Sequence, residues 1–211
     1  MREQRLQKIK DVVSKRQGDL TVVLNNVHDP HNIGAVLRTC DSVGIKEIFV
    51  LYDDDIDDNN LLLGKKSAAS ARKWVDVYLY RDVDKCMQDI KSKYKKILGT
   101  HLSSQAVSLY ELDLTTPVAL VFGNEHSGIS ERVLPYLDGN FIIPQMGMVQ
   151  SLNISVSVAV TLYEALRQRS NKGLYDNNTT LSAQQKSELE TEYIRRHNEK
   201  YKGRLMKEVK G

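Results

Sequence analysis

Short apolar runs alternate with helical patterns along the middle of the chain, from about residue 20 to residue 170. Most runs are continuous rather than alternately apolar and polar, which is typical of strands covered on both faces of a parallel sheet. Their alternation with helical patterns predicts an α/β fold with a largely parallel sheet. The predicted strands are residues 21–24, 47–51, 74–79, 97–100, 118–122 and 141–143.

Three helices are predicted between or after these strands. Residues 32–43 and 83–93 carry apolar side chains at helical spacing. Residues 151–169 form the most apolar helix of the chain, with Ser151 as its expected N-cap. Because this helix is apolar on most sides, we expect it to be buried against the sheet, against a partner subunit, or against both.

The two ends of the chain have a different pattern. Residues 2–15 predict a basic helix with one apolar face, and Ser182 with Gln185 predicts a capping box for a charged helix that runs to about residue 202. A length of 211 residues suits one globular domain with terminal elements. The predicted parts are a basic N-terminal helix at 1–17, an α/β domain at 18–169, and a linker with a charged C-terminal helix at 170–211.

Charge divides along nearly the same boundaries. The chain has 30 Lys and Arg against 27 Asp and Glu, a formal net charge of +3. Residues 1–17 hold six basic and two acidic side chains, residues 18–166 hold thirteen and nineteen, and residues 167–211 hold eleven and six. Two basic ends on an acidic body predict a polyanionic partner.

The cysteines and the apolar runs indicate the compartment. Cys40 and Cys86 lie far apart and form no CxxC pair, so we expect reduced thiols. No apolar run approaches the roughly 20 residues that span a bilayer, and the N-terminus lacks the apolar region of a signal peptide. We therefore expect a cytoplasmic protein with no membrane partner.

Several nucleotide and metal motifs fail on their spacing. Residues 64–67 resemble the end of a phosphate-binding loop, but Asn59 stands where the first glycine of that motif is required. No GxGxxG motif follows the first predicted strand. The acidic run 53–58 lacks the glycine and glutamate of a calcium loop, which favours a solvated loop. His28 and His31 flank a proline, which favours a turn into a helix. No metal is expected.

Three polar segments remain, and each lies where a predicted strand ends. They are residues 25–41, residues 120–128, which carry a Gly-rich loop, and residues 142–153. In open α/β sheets the ligand binds beyond the carboxyl ends of the strands. These loops, with residues 100–103 after the fourth predicted strand, are therefore predicted to form one pocket.

Together these segments resemble the motifs of the SPOUT superfamily, specifically the TrmH family of RNA 2′-O-ribose methyltransferases, over about residues 20–169. The resemblance implies a parallel-sheet SPOUT fold with a C-terminal deep trefoil knot formed by the second and third segments. It also implies S-adenosyl-L-methionine as the methyl donor, bound bent in the knot. A homodimer whose interface includes the last buried helix is implied as well.

The resemblance further implies roles for individual residues. Taken alone, Asn32, Ser151 and Asn153 are also typical of helix starts, and Glu125 is able to satisfy backbone groups of its own loop. Arg38 taken alone is equally typical of a solvated helix position. The implied catalytic residues are Asn32, Arg38, Glu125, Ser151 and Asn153. The implied cofactor-binding residues are Thr100, Leu102, Gly123, Ile143, Met146, Ser151 and Leu152.

Methyl transfer to a ribose hydroxyl requires that donor and hydroxyl are aligned and that the hydroxyl loses its proton. The family proposal makes Arg38 the base, but arginine side chains stay protonated at neutral pH. We favour a role for Arg38 in holding the adjacent phosphate and stabilising developing alkoxide charge.

The short helical extensions are similar to those of family members that methylate guanosine 18 in the D-loop of tRNA. The implied substrate is therefore tRNA, gripped at its phosphates by the basic ends. One alternative is a ribosomal RNA 2′-O-methyltransferase. Another is a non-catalytic RNA-binding protein of the same fold.

Overall fold

Eight parallel strands form one sheet in a computed structural model of the chain, which describes residues 2–54, 71–101, 103, 105–176, 179–199 and 207–209. Across the sheet the strand order is β5-β7-β4-β6-β1-β2-β3-β8. The strands are β1 (Leu20–Asn25), β2 (Glu47–Leu51), β3 (Asp76–Tyr80), β4 (Lys96–Thr100), β5 (Val107–Ser108), β6 (Val118–Phe122), β7 (Gly139–Ile142) and β8 (Lys207–Glu208).

Helices cover both faces of the sheet, which explains why its central strands are apolar on both sides. The side chains of α2 and α4 pack on one face, and those of α3 pack on the other. The α/β fold with a parallel sheet is thereby confirmed, while the trefoil knot stays a prediction. The helices described are α1 (Glu3–Ser14), α2 (Pro30–Ser42), α3 (Val83–Lys93), α4 (Ile154–Asn171) and α5 (Ala183–Asn198).

The six predicted strands are all present, with boundaries that differ from the prediction by up to two residues; the strand predicted at 141–143, for example, is Gly139–Ile142. The strand predicted at 74–79 begins at Asp76, because Trp74 closes a turn after the 3-10 helix Ala71–Lys73 and donates its N–H to the Ala71 carbonyl. Strands β5 and β8 were not predicted. Each has two residues, which is too short to produce a hydrophobic period.

Two predicted helix starts are wrong by a few residues. Helix α2 begins at Pro30, since a proline needs no N–H partner in the first turn, and Asp29 caps it by accepting the His31 N–H at 2.8 Å. Asn32 is therefore not the cap. Helix α4 is capped by Asn153, whose Oδ1 accepts the Ser155 N–H at 2.9 Å, rather than by Ser151.

The terminal helices pack against each other and against the body. Ile9 and Val13 of α1 meet Tyr193 of α5 in a small apolar cluster that also contains Trp74. This arrangement leaves the opposite side of α1, with most of its charged residues, exposed.

Three arginines of the basic ends are buried, contrary to the expectation that these charges face RNA. They pair with carboxylates at 2.5 Å (Arg16 with Asp41), 2.6 Å (Arg169 with Asp19) and 2.8 Å (Arg196 with Asp76). A buried charge is tolerated when it is paired and hydrogen-bonded, so these arginines anchor the ends to the body.

Cys40 and Cys86 are buried and unpaired, and burial raises the pKa of both thiols. Within the described part of the chain, no helix has the length and apolar character needed to cross a bilayer.

The capping box predicted for α5 is present. The Ser182 hydroxyl accepts the Gln185 N–H at 3.2 Å, and the Gln185 side chain accepts the Ser182 N–H at 2.9 Å. We expect Ser182→Ala to lower the free energy of unfolding by about 1 kcal/mol, because the first turn of the helix loses a partner. Urea unfolding would measure this, with Ser187→Ala, an exposed serine inside the same helix, as the control that loses no stability. Equal losses in both variants would contradict a capping role.

Candidate active site

A cavity of about 430 Å³ opens where β4, β6 and β7 end. It lies at the carboxyl edge of the sheet, where the strand-end segments predict a pocket, but no residue of the segment 25–41 lines it. Its walls combine backbone of the loop after β6, apolar side chains and a few polar groups. The lining residues are Thr100, His101, Phe122–Gly128, Phe141–Ile143, Gln145, Gln150–Leu152, Ile154 and Ser157.

Most of the predicted cofactor-binding residues line this cavity. They are Thr100, Gly123, Ile143, Ser151 and Leu152. Met146 does not line it and is 93% exposed. Leu102 lies outside the described residues.

The loop that follows β6 turns back on itself at the cavity. Asn124 and Gly128 exchange two backbone hydrogen bonds of 2.9 Å each. A Cβ on Gly123 would lie 2.1 Å from the Gly128 carbonyl carbon, so a side chain does not fit there. Glycine is required because two stretches of backbone approach each other closely.

Three of the predicted catalytic residues form a hydrogen-bonded chain beside the cavity. The Asn32 Nδ2 donates to Glu125 Oε1 at 2.6 Å, and the Asn153 Nδ2 donates to Asn32 Oδ1 at 3.1 Å. The chain joins the start of α2, the loop after β6 and the start of α4. Residues from all three motif segments thus meet at one place.

Arg38 and Ser151 do not take part in that chain. Ser151 lines the cavity with an exposed side chain. The Arg38 side chain is exposed on α2 and makes no hydrogen bond or ion pair with any of the described residues. Arg38 lies six positions after Asn32, which places the two side chains about 120° apart around the helix. Arg38 is therefore free to contact a group from outside this chain.

A polar network behind the loop was missed in the sequence. Asp53 was expected to be solvated with the rest of the run 53–58, which is wrong for this residue. Its carboxylate accepts hydrogen bonds from Asn25, Asn26 and Ser130 at 2.5–2.9 Å. Although partial burial by itself would raise its pKa, these hydrogen bonds lower the pKa of Asp53 below its ordinary value.

One signal for this network was present in the sequence. Asn25 and Asn26 directly follow a buried strand, and asparagine tolerates left-handed backbone, which Asn26 adopts with φ of 54°. The partner Ser130 lies more than 100 residues away, so the pairing itself had no local signal. In the described part of the chain, no three His, Cys, Asp or Glu side chains gather as a metal site would require.

Comparison with known proteins connects this geometry to a family. The model of the SpoU rRNA methylase family matches residues 19–163, which include the three motif segments and the cavity. The chain belongs to the SpoU rRNA methylase family. The SpoU match contains β1 to β7 and leaves out α1 and α5.

Two curated SpoU relatives are tRNA (guanosine(18)-2′-O)-methyltransferases. The one from Thermus thermophilus is 41% identical over 82% of this chain and 88% of its own length. The one from Escherichia coli is 39% identical over 83% of this chain and 75% of its own length. The 23S rRNA (guanosine-2′-O-)-methyltransferase RlmB of Xanthomonas campestris is 33% identical over 76% of this chain and 64% of its own length.

Solved structures extend the SpoU likeness. The Aquifex aeolicus TrmH/SpoU tRNA modifying enzyme has a TM-score of 0.81 and 32% identity, with 93% of this chain and 97% of that chain covered. The SpoU methyltransferase AviRb from Streptomyces viridochromogenes, solved in complex with AdoMet, has a TM-score of 0.63 and 24% identity. The match covers 74% of this chain and 62% of the AviRb chain. At that identity AviRb supports the fold alone.

Proposed function

We propose that this chain transfers a methyl group from S-adenosyl-L-methionine to a ribose 2′-hydroxyl in RNA, and that the target is guanosine 18 in the D-loop of tRNA. The observation that carries the proposal is the contact of Glu125, Asn32 and Asn153 beside the strand-end cavity. Membership of the SpoU family and the names of the tRNA-modifying relatives support the same reaction and substrate.

The cavity fits the methyl donor in size and chemistry. Pockets of about 300–1,000 Å³ with mostly apolar walls and a few polar groups are typical of small-molecule sites. Here Ile143 and Leu152 offer apolar walls, while the backbone of the loop at Gly123 offers hydrogen-bonding groups at close range. Bound there, S-adenosyl-L-methionine supplies an electrophilic methyl group. Thr100, Gly123, Ile143, Ser151 and Leu152 would hold it.

The residues of this chain would position the ribose and stabilise the negative charge that develops on its 2′-oxygen as the hydroxyl proton passes to water. Glu125 fixes the amide of Asn32, and Asn32 in turn fixes the amide of Asn153, so the polar groups beside the cavity are held in one orientation. Held groups contribute to rate because they need not be ordered during the reaction. The Arg38 side chain, which makes no hydrogen bond or ion pair within the described part of the chain, would bind the phosphate next to the target ribose and stabilise negative charge on its 2′-oxygen.

A homodimer is part of the proposal. On α4, Val156 and Tyr163 are 46% and 53% exposed, and Met148 just before the helix is fully exposed. Large apolar side chains exposed together are typical of protein contact surfaces. A second copy packed on α4 would cover them, which light scattering after gel filtration would detect as twice the chain mass.

The exposed basic residues of the ends supply a surface for RNA phosphates. Arg2, Arg5 and Lys8 surround a shallow depression on α1. Burial and the charge of Arg5 lower the pKa of Lys73, and burial together with Lys73 and Arg5 lowers the pKa of His197. Trp74 packs with α1 and α5 in one apolar cluster, and the Arg196 guanidinium donates to the Lys73 carbonyl at 3.2 Å, so positive groups from α1, α5 and the segment before β3 lie close together.

We expect the triple substitution of Arg2, Arg5 and Lys8 to alanine to weaken tRNA binding and to flatten its salt dependence by up to about three units of slope. The reason is that a protein with fewer phosphate contacts releases fewer counterions when it binds RNA. Filter binding across a salt series would measure this. A matched triple, Lys91, Lys95 and Lys96 to alanine, removes the same charge from exposed positions elsewhere and should leave the slope unchanged. An unchanged slope in the first triple would contradict RNA binding at α1.

Labelled S-adenosyl-L-methionine and unmodified RNA transcripts test the reaction itself. We expect label in tRNA, mapped to the ribose of guanosine 18, and none in a tRNA that carries 2′-deoxyguanosine at that position. Label in ribosomal RNA but not in tRNA would establish the ribosomal alternative. Cofactor binding without label in either RNA would favour the non-catalytic RNA-binding alternative.

A further inference from the structure

The carboxylate of Asp53 lies behind the loop that lines the cavity, outside the three motif segments. We propose that Asp53 is a positioning residue for cofactor binding, because it holds the loop 123–128 in the shape that receives S-adenosyl-L-methionine. The inference rests on the proposed function, in which the cavity is the cofactor site. Three consecutive contacts connect Asp53 to the cavity wall.

The first contact is made by the Asp53 carboxylate, and both of its oxygens accept hydrogen bonds. Asp53 Oδ1 accepts from Asn25 Nδ2 at 2.9 Å and Asn26 Nδ2 at 2.8 Å, and Oδ2 accepts from the Ser130 hydroxyl at 2.5 Å. The Asp53 N–H also donates to Asn26 Oδ1 at 3.0 Å. Hydrogen bonds to an ionised acceptor are stronger than neutral ones. Asp53 thereby joins the end of β1 to the end of the loop.

The second contact passes through Asn26. Its backbone has a φ of 54°, in the left-handed region that residues other than glycine rarely adopt. The two hydrogen bonds between its side-chain amide and Asp53 hold it there. In this conformation the Asn26 carbonyl accepts the Asn124 Nδ2 at 2.8 Å.

The third contact is within the loop. Asn124 Oδ1 accepts the N–H groups of His126 and Ser127 at 2.8 and 3.3 Å, so the Asn124 side chain organises the turn. At the far end, the Ser130 N–H donates to Asn25 Oδ1 at 2.8 Å. Both ends of the loop are therefore fixed by groups that converge on Asp53.

The loop held in this way forms one wall of the cavity and carries Glu125, which bonds to Asn32. Without the carboxylate, Asn25, Asn26 and Ser130 lose their common acceptor, and the wall is free to shift. A binding site depends on the residues that support it as much as on those that touch the ligand. The expected consequence is weaker cofactor binding by a protein that still folds.

The test compares two substitutions of Asp53 by calorimetry with S-adenosyl-L-methionine. Asp53→Ala should raise the Kd about tenfold or more, because it removes both carboxylate oxygens that accept from Asn25, Asn26 and Ser130. Asp53→Asn should restore the Kd to within about threefold of wild type, because one oxygen still accepts from both asparagines and its NH2 is able to donate to the Ser130 hydroxyl. A purely structural role predicts lower melting temperatures with an unchanged Kd.

Asp54→Ala is the matched control, since Asp54 is the next carboxylate and its Oδ2 lies 2.9 Å from Nε2 of the half-buried His28. It should leave the Kd within twofold of wild type. The inference is overturned if Asp53→Ala binds like wild type, or if Asp53→Asn binds as weakly as Asp53→Ala. If Asp53→Ala does not fold, Ser130→Ala decides the question: a Kd raised several-fold supports the inference, and an unchanged Kd overturns it. If wild-type protein does not bind the cofactor, the proposed function fails first and this inference fails with it.

Discussion

Replacing Gly123 by alanine should abolish tight binding of S-adenosyl-L-methionine. The added Cβ would lie 2.1 Å from the Gly128 carbonyl carbon and 2.2 Å from its oxygen. These atoms belong to backbone that is hydrogen-bonded to Asn124, so they cannot rotate away as a side chain does. The loop must therefore open, and losing two of the hydrogen bonds that its backbone would make to the cofactor, at about 1.5 kcal/mol each, corresponds to about 100-fold in Kd. We expect the Kd to rise by at least that factor.

Calorimetry and circular dichroism on the same samples would check this result. Gly139→Ala is the matched control, because its Cβ would meet the Leu98 side chain at 3.4 Å, an ordinary contact. That variant should bind the cofactor like wild type. If Gly123→Ala binds as tightly as Gly139→Ala, the loop after β6 is not the wall of the cofactor site.

Replacing Arg38 by alanine should lower kcat by about 100- to 1,000-fold, which is the usual effect of removing a group that stabilises transition-state charge. Cofactor binding and the melting temperature should not change, because Arg38 is exposed and contacts none of the described residues by hydrogen bond or ion pair. Single-turnover methylation of tRNA measures the rate. Lys95→Ala, which removes an exposed cation before β4, should keep the wild-type rate.

Arg38→Lys separates two roles for this residue. Lysine keeps the positive charge but loses the planar fork that binds two phosphate oxygens. We expect a rate at least about tenfold below wild type. A lysine variant that turns over near the wild-type rate would show that the guanidinium fork is not required, and the assignment to the phosphate would be wrong.

The sheet and the place of the site were predictable because both depend on local pattern. Continuous apolar runs that alternate with helices indicate a covered parallel sheet, and the carboxyl ends of such strands share one edge. The polar segments at 25–41, 120–128 and 142–153 therefore had to come together. The structure confirms that Asn32, Glu125 and Asn153 meet there.

The rest depends on contacts between residues far apart in the chain. Asp53 begins an acidic run that is typical of a solvated loop, and nothing near it in the sequence shows that Asn25 and Ser130 surround it. Arg16 was counted with the exposed basic end, yet Asp41 and the fold of the body bury it. The knot, the role of Leu102 and the homodimer remain predictions. All three come from the family resemblance, because chain threading and assembly leave no periodic pattern in a sequence.

The buried arginine pairs also fix the distance between the basic face of α1 and the cavity. Arg16, Arg169 and Arg196 tie the terminal segments to the body through carboxylates. The exposed basic face of α1 is thereby held at a constant distance from the cavity. In the proposed function, a folded RNA whose phosphates rest on that face presents a nucleotide at one fixed span to the cavity. The target nucleotide would then be selected by its distance along a rigid RNA as well as by the identity of its base.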